Sequence, residues 1–233
     1  MAVYAFSDLH GHLELYNKIK AYVKPEDTLY CLGDCGDRGP QPWETIKVVA
    51  KDPQAIYLKG NHEDMLVKAA KEALSMDEWP SSQHQRLLAM NGGMDTLCEG
   101  LMNEENREDW IKHLNALPVS TYYTNTSGQK ILLCHAGCSL WVDEPEVLPI
   151  AKELMWDRLH YFDNANLLSS IIVVHGHTPI KHLGADIGVQ PTIGALRYAD
   201  GKKYCIDAGT HHSGRSILLN LDTFESIEFK LND

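Results

Sequence analysis

Side chains that bind divalent metal ions recur in five short motifs along the chain. The motifs are Ser7-Asp8-Leu9-His10-Gly11, Gly33-Asp34-Cys35-Gly36-Asp37-Arg38-Gly39, Gly60-Asn61-His62-Glu63, His135-Ala136-Gly137 and Gly176-His177-Thr178. They offer carboxylate oxygens, an amide oxygen and imidazole nitrogens, a donor set that suits Mn, Fe or Zn. One such motif is not diagnostic, because isolated histidines and Asp-x-His pairs are common in surface loops. Five of them along one chain predict ligands for two adjacent metal ions.

The first two motifs combine metal ligands with a group that can bind phosphate. Asp8 and His10 are two residues apart, which places both side chains on the same side of an extended chain. Asp34 has two carboxylate oxygens, so it can bridge two ions. Arg38 offers planar, permanently charged donors that match a phosphate group, although a surface ion pair with Asp37 would also explain it.

The remaining motifs each allow two interpretations. Asn61 can bind metal through its amide oxygen or cap the start of a helix, and the two roles are compatible. His62 can donate a proton instead of binding metal. His135 and His177 follow apolar runs, and the register of the last motif favours His177 over the nearby His175. Because three other ligand-bearing motifs also follow strand-like runs, the two histidines favour the metal interpretation.

Apolar runs just before the motifs predict the strands that would position them. Strands are expected at residues 3–6, 28–32, 55–58, 131–134, 171–174, 203–206, 217–221 and 227–231, and helices at 13–23, 43–50 and 63–75. Strands separated by helices come first and closely spaced strands follow, a pattern typical of a mixed α/β sandwich. Sites in α/β folds lie at the carboxyl ends of strands, and the first motifs fall there.

The composition suits one globular domain and disfavours several classes of partner. The 233 residues, with 44% hydrophobic content, predict a single domain over residues 1–233. A polar helical insert is expected at about 76–117, interrupted by Pro80 and by Asn91-Gly92-Gly93. The formal net charge of −11 disfavours nucleic acid as a partner. Six cysteines without a CxxC pair, no secretory signal and no long apolar run predict reduced thiols, no membrane association and a cytoplasmic location.

Together the motifs resemble those of the PPP-type calcineurin-like metallophosphoesterases, in particular the compact bacterial and phage protein phosphatases. The family pattern is GDxHG, GDxxDRG, GNHE, HAG and GHT, and the match runs from residue 7 to residue 178. A later segment, Ile206-Asp207-Ala208-Gly209, resembles the family's terminal strand. The resemblance implies an α/β fold, a β-sandwich flanked by helices in four αββα-like layers, with a small helical insert.

The same resemblance implies two sets of metal ligands that share one carboxylate. The first ion would be held by Asp8, His10 and Asp34. The second ion would be held by Asp34, Asn61, His135 and His177. Mn is the expected metal, with Fe and Zn as open alternatives.

Catalytic and substrate-binding roles are implied for residues in and beyond the metal motifs. Arg38 would bind the phosphate group of the substrate. Arg158 would be a second phosphate ligand, because Trp156-Asp157-Arg158 is similar to the family's Trp-x-Arg segment. His62, oriented by Asp37, would protonate the leaving group.

The implied activity is hydrolysis of a phosphoester, in which a hydroxide that bridges the two ions attacks phosphorus in line. The first expectation is a phosphoprotein phosphatase acting on phosphoserine or phosphothreonine, and on phosphotyrosine by extension. The alternative is a hydrolase of dinucleoside polyphosphates such as diadenosine tetraphosphate, and the third is a non-catalytic metal-binding regulatory module. The expected partner is thus a phosphorylated protein or peptide, or a small phosphorylated metabolite or nucleotide. We expect the insert to decide between these substrates by covering the site.

Overall fold

Two five-stranded sheets pack face to face in the computed structural model of the protein, which describes residues 1–75, 82–138, 151–160, 162, 171–190 and 194–232. From edge to edge, the first sheet contains β10 (Ser226–Lys230), β9 (Arg215–Asn220), β1 (Val3–Phe6), β2 (Thr28–Cys31) and β3 (Ala55–Tyr57). The second sheet contains β4 (Ser120–Thr124), β5 (Lys130–Cys134), β6 (Ile171–His175), β8 (Lys203–Cys205) and β7 (Leu196–Tyr198). The central strands of each sheet are parallel, whereas β9, β10, β4 and β7 are antiparallel to their neighbours.

Helices connect the strands and cover the outer faces of the two sheets. The helices in the described ranges are α1 (Leu13–Tyr22), α2 (Pro42–Lys51), α3 (Asn61–Ser75), α4 (Gln83–Met90), α5 (Arg107–Ala116), α6 (Ala151–Trp156), α7 (Ile180–Ile187) and α8 (Thr210–Ser213). Pro42 starts α2, a position where the missing proline N–H costs no hydrogen bond. Gly188 ends α7 with a φ of 71°, the left-handed conformation that commonly terminates helices.

Alternate residues of one strand enter different layers of the core, as the pleat of a strand requires. In β5, Ile131 and Leu133 pack between the two sheets. Their neighbours Leu132 and Cys134 face the other way and pack with Leu154 of α6. Helices α1, α2 and α3 pack on the outer face of the first sheet, so the layers run helix, sheet, sheet, helix. This order confirms the predicted four-layer sandwich.

Loops that follow the parallel strands are joined by backbone hydrogen bonds. His10 N donates to Asp34 O at 3.0 Å, which joins the loops after β1 and β2. Gly176 N donates to His135 O at 2.7 Å, which joins the loops after β5 and β6. The loops that carry the metal motifs are therefore held against each other at one edge of the sandwich.

All of the predicted strands and helices are present, with ends that differ by a few residues. The sequence did not indicate β4, β7, α6, α7 or α8. Strand β4 is a half-exposed edge strand, so it lacks the apolar alternation that reveals a strand. Strand β7 has three residues and α6 has six, too few for a periodic pattern.

The insert contributes α4, a π-helical turn at Thr96–Gly100, a 3-10 turn at Leu101–Asn103 and α5. Its first part, residues 76–81 with Trp79 and Pro80, lies outside the described residues. Trp110 of α5 packs edge-on against Trp43 of α2, with ring centroids 5.2 Å apart. The insert therefore rests on α2, and its turn at residues 91–93 reaches the loop that carries Arg38.

All six cysteines, which lie in the described ranges, are free thiols. Across the described part of the chain, the helices are too short or too polar to span a bilayer.

Candidate metal centre and active site

Donor atoms from four motifs converge around the carboxylate of Asp34. Asn61 Oδ1 lies 2.9 Å from His135 Nε2 and 3.0 Å from His177 Nδ1. Asp34 Oδ2 lies 3.2 Å from the same His135 nitrogen. Ligand atoms about 2.1 Å from one ion and at right angles to each other lie about 3 Å apart. The spacing of these oxygen and nitrogen atoms therefore fits one divalent ion.

A second group of donors contains His10 and His62 and shares Asp34 with the first. In the described residues, the possible ligand atoms of His10, Asp34 and His62 lie within 4.8 Å of one another, as do those of Asp34, His135 and His177. His10 Nε2 is 4.0 Å from Asp34 Oδ2, and His62 Nε2 is 3.8 Å from the same oxygen. Asp34 thus belongs to both groups, as a bridging ligand must.

Asp8 belongs to neither of these two groups, although the resemblance implied that it binds the first ion. Its Oδ2 accepts hydrogen bonds from Ser7 Oγ at 2.5 Å and from His177 N at 3.1 Å. Burial raises the pKa of this carboxyl group. Asp8 therefore braces the loop of His177 in this structure, and its role as a metal ligand remains a prediction.

Backbone carbonyls fix which ring nitrogen of two histidines faces the site. His135 Nδ1 lies 2.8 Å from Leu32 O, and His10 Nδ1 lies 3.1 Å from Gly36 O. A carbonyl oxygen can only accept, so each Nδ1 carries a proton and each Nε2 turns toward Asp34. Metal-binding histidines commonly have this arrangement, because the outer hydrogen bond orients the ring.

The charge of Asp34 favours a proton on His135, whereas burial lowers the pKa of His10 and of His177 well below its ordinary value. Burial lowers the pKa of His135, but the charge of Asp34 outweighs it and raises that pKa to about 10. Burial would raise the pKa of Asp34, yet the charges of His135 and His62 hold it well below its usual range. A proton and a metal ion compete for such a site, because the ligands must be deprotonated to bind metal.

His62 and Asp37 form a buried pair beside the shared carboxylate. His62 Nδ1 lies 2.5 Å from Asp37 Oδ2. The other oxygen, Oδ1, accepts a hydrogen bond from Thr96 Oγ1, and Asp37 N donates to that hydroxyl at 3.2 Å. Burial lowers the pKa of His62, but Asp34 and Asp37 outweigh it and raise the pKa above its ordinary value. Thr96 belongs to the insert, so the insert directly holds this pair.

The guanidinium of Arg38 lies beside both histidines of the second group. Its Nη1 is 2.9 Å from His10 Nε2, and its Nη2 is 2.9 Å from His62 Nε2. The insert holds the rest of the residue, because Arg38 Nε donates to Asn91 O at 3.2 Å and Arg38 N donates to Gly92 O at 3.0 Å. In the same loop, Gly36 leaves no room for a side chain, because an added Cβ would meet Ile46.

Arg158 reaches the opposite side of the same pocket. Its Nε donates to His177 Nε2 at 3.2 Å, and the preceding Trp156 lies edge-on to the His177 ring at 6.4 Å. His175 is buried in the second sheet, where its Nε2 lies 2.8 Å from Tyr198 Oη. The structure thus brings Arg158 and His177 to the site and leaves His175 outside it.

Glu63 holds the loops that carry the metal motifs, a role that the sequence did not predict. Its Oε2 accepts hydrogen bonds from Asp34 N at 2.9 Å and Gly60 N at 2.8 Å. Its Oε1 accepts from Cys35 N at 3.0 Å and Tyr57 Oη at 2.7 Å. The contact with Gly60 N resembles a capping box at the start of α3, which was the available sequence signal.

Backbone strain is concentrated in the motifs. Among the described non-glycine residues, a positive φ occurs at six motif positions, namely Asp8, His10, Asp34, Asp37, Arg38 and His177, and at three others, Ala199, Asp200 and Phe224. Such conformations cost about 1–3 kcal/mol each and persist where the surrounding structure enforces them. Their concentration here marks these loops as a functional site.

Several of the residues described above line a small cavity of about 150 Å³. His10, Asp34, Arg38, Asn61, His62, Arg158 and His177 line it, together with Asn91, Trp156, Pro179, His182, Asp207, Gly209, His211 and His212. The sequence reading did not select His182, His211 or His212, because they carry no recognisable spacing. Asp207 is buried near the centre, and burial raises its pKa well above the usual range.

The sandwich and the two candidate donor groups joined by one carboxylate suit a protein that binds two metal ions. Residues 1–212 match the family model of calcineurin-like phosphoesterases, so the chain belongs to that family. The family and the fold predicted from the five motifs are therefore confirmed, and the protein is a metallophosphoesterase.

Curated relatives of the chain include symmetrical bis(5'-nucleosyl)-tetraphosphatases. The protein of that name from Delftia acidovorans is 26% identical over 160 residues, which are 66% of this chain and 50% of that protein. The one from Azotobacter vinelandii is 26% identical over 219 residues, which are 90% of this chain and 69% of that protein. The chain therefore spans half the length of the first of these relatives.

Solved structures share the fold over nearly the whole chain. A protein provisionally assigned as a diadenosine tetraphosphatase has a TM-score of 0.64 at 16% identity, covering 99% of this chain and 94% of that one. A serine/threonine phosphatase from Saccharomyces cerevisiae has a TM-score of 0.60 at 14% identity, covering 100% of this chain and 81% of that one. At these identities the similarity shows the fold alone.

Proposed function

We propose that the protein hydrolyses dinucleoside polyphosphates of the diadenosine tetraphosphate type at the Asp34 centre. The observation that carries the reaction is the place of Asp34 in both donor groups, with Arg38 and Arg158 on either side. The substrate is supported by the curated relatives, whose names specify a bis(5'-nucleosyl) tetraphosphate. The dinucleoside polyphosphate thus replaces the phosphoprotein, which was the first expectation from the sequence.

One metal ion would be held by Asp34, Asn61, His135 and His177, and the other by His10 and Asp34 with Asp8. When bound, two divalent ions ease the deprotonation of water and offset charge on the phosphoryl oxygens. The donors are oxygen and nitrogen atoms only, so they suit Mn, Fe or Zn.

The remaining side chains would bind and orient the phosphate chain. Arg38 and Arg158 present guanidinium groups that match phosphoryl oxygens and stabilise their charge as the bond breaks. His62, held by Asp37, would give a proton to the departing oxygen. Water adds to phosphorus while the central P–O bond breaks, so two nucleoside diphosphates leave the site.

A phosphoprotein phosphatase remains the second candidate, and the buried His62–Asp37 pair favours it. The alkoxide that leaves from phosphoserine is a strong base and needs a proton as it departs. A nucleoside diphosphate is a better leaving group and needs that proton less. A well-oriented His62–Asp37 pair therefore contributes most when the substrate is an alkyl phosphate, whose leaving oxygen needs a proton.

Steady-state kinetics of the Mn-loaded protein on diadenosine tetraphosphate and on a phosphoserine peptide would test the proposal. We expect a higher kcat/KM for the dinucleotide, with adenosine diphosphate as the product of symmetrical cleavage. Asp34→Asn serves as the control, because it should abolish both activities. A strong preference for the peptide would contradict the proposal and support the phosphatase. Failure of every metal-loaded form to cleave p-nitrophenyl phosphate would support a non-catalytic module.

A further inference from the structure

The metal pocket is too small to select a substrate by itself. Its volume of about 150 Å³ accommodates a phosphoryl group, whereas sites for small molecules usually measure about 300–1,000 Å³. A neighbouring groove between α3, α4 and α6 has a volume of about 890 Å³. Groups attached to the reacting phosphate must therefore bind outside the pocket, and this groove has the necessary size.

The groove has apolar walls, and two of the side chains that form them are exposed. It is lined by Met65, Leu87, Met90, Met155 and Trp156. Met90 is 85% exposed and Leu87 is 37% exposed, although both lie on the amphipathic helix α4. Thioether and indole groups are polarisable and pack well against flat aromatic rings. The walls thus suit a planar apolar group.

Trp156 joins the groove to the metal pocket, since it lines both. Its ring is 6.4 Å from the ring of His177, a candidate ligand of the second ion. When a dinucleoside tetraphosphate is cut at its centre, one more phosphate and one ribose separate the reacting phosphorus from the base on its own side. Two more phosphates and one ribose separate it from the other base. A base on that tether would pass Trp156 and reach the groove.

Basic side chains at the groove complement a polyphosphate. Lys68, Arg86 and Lys152 line it, against one carboxylate from Asp64. Lys68 Nζ donates to Asp64 Oδ2 at 2.7 Å, so its charge is partly offset. The protein as a whole carries a net charge of −11, which makes a basic groove beside its phosphate site distinctive.

We propose that this groove, lined by Leu87, Met90 and Trp156, is a nucleoside subsite that holds one base of the substrate. The inference rests on the proposed function, because it assigns a place to one half of a dinucleoside polyphosphate. It also gives the insert a role, since α4 supplies Leu87 and Met90.

Competition against p-nitrophenyl phosphate tests the subsite separately from the overall activity. The competitors are adenosine diphosphate and inorganic pyrophosphate, which share two phosphates and differ in the nucleoside. We expect adenosine diphosphate to inhibit the wild type at least about tenfold more strongly, a factor that corresponds to about 1.4 kcal/mol. Met90→Glu should reduce this advantage to about twofold or less by placing a carboxylate in the groove.

Leu74→Glu is the matched control, because Leu74 is an exposed leucine of α3 that does not line the groove. It should keep the wild-type advantage of adenosine diphosphate. Leu87→Asp provides a second groove variant if Met90→Glu does not fold, and circular dichroism reports on both.

The outcomes separate the subsite from the proposed function. If the wild type ignores diadenosine tetraphosphate but prefers adenosine diphosphate through Met90, the function fails and the subsite stands. If it cleaves the dinucleotide while Met90→Glu and Leu87→Asp keep the full nucleotide advantage, the subsite is overturned. Equal inhibition of the wild type by the two competitors would overturn the subsite as well. So would a groove variant that reduces hydrolysis of a phosphopeptide and leaves the inhibition by adenosine diphosphate unchanged.

Discussion

The hydroxyl of Thr96 provides a sharp test of how the insert supports catalysis. Thr96→Val keeps the shape of the side chain but removes the hydrogen bonds to Asp37 Oδ1 and from Asp37 N. Thr96 is fully buried, so water cannot replace the lost hydroxyl. Because hydrogen bonds to charged groups contribute about 1.5–3 kcal/mol, we expect the free energy of unfolding to fall by about that amount.

Part of this loss of free energy should also lower the reaction rate, because Asp37 orients His62. Asp37 Oδ2 lies 2.5 Å from His62 Nδ1, so a looser Asp37 orients the ring less well. A loss of about 1.4 kcal/mol in the transition state reduces the rate about tenfold. We therefore expect kcat to fall about tenfold for phosphate esters with poor leaving groups, and less for p-nitrophenyl phosphate, which needs little protonation.

The assay compares urea unfolding and kcat for a series of aryl and alkyl phosphates. Thr45→Val is the matched control, because Thr45 is also fully buried and its hydroxyl donates to Gln41 O at 2.7 Å, away from the site. It should lose about 0.5–1.5 kcal/mol of stability and keep the wild-type dependence on the leaving group. If Thr96→Val keeps that dependence too, Thr96 does not act through His62 and the reasoning fails.

Three further changes test other parts of the site. His62→Asn should keep the metal content while turnover falls about 10²–10⁴-fold for poor leaving groups; an equal loss with good leaving groups would argue against a proton from His62. Glu63→Ala should lower the free energy of unfolding in urea by about 3 kcal/mol or more, because three buried backbone N–H groups lose their acceptor. An unchanged stability would refute that role. Arg158→Ala should raise KM for p-nitrophenyl phosphate at constant metal content, and an unchanged KM would remove Arg158 from the phosphate site.

The sequence predicted members of both donor groups because these residues have fixed types within short motifs. Asp34, His135 and His177 each follow an apolar strand, and the parallel strands bring those ends together. The packing of Asp8 was not predictable, since its hydrogen bond to His177 N joins residues 169 positions apart. Contacts of that kind depend on how two sheets pack, which no local pattern records.

Residues that support the site carry weaker sequence signals than those that form it. Thr96 lies 59 positions from Asp37, in a segment whose sequence indicates only an interrupted helix. The groove beside Trp156 arises where α3, α4 and α6 meet, and six-residue α6 has no periodic signal. The expectation that the insert decides the substrate remains a prediction, now attached to Leu87 and Met90 of α4.

The number of metal ions bound per folded chain tests the central claim most directly. Native mass spectrometry of the Mn-reconstituted wild type should count two ions, and Asp34→Asn should hold fewer and lose hydrolysis of both p-nitrophenyl phosphate and diadenosine tetraphosphate. A wild type that holds at most one ion at full activity would contradict a centre built on a shared carboxylate. So would full activity after complete removal of metal by a chelator.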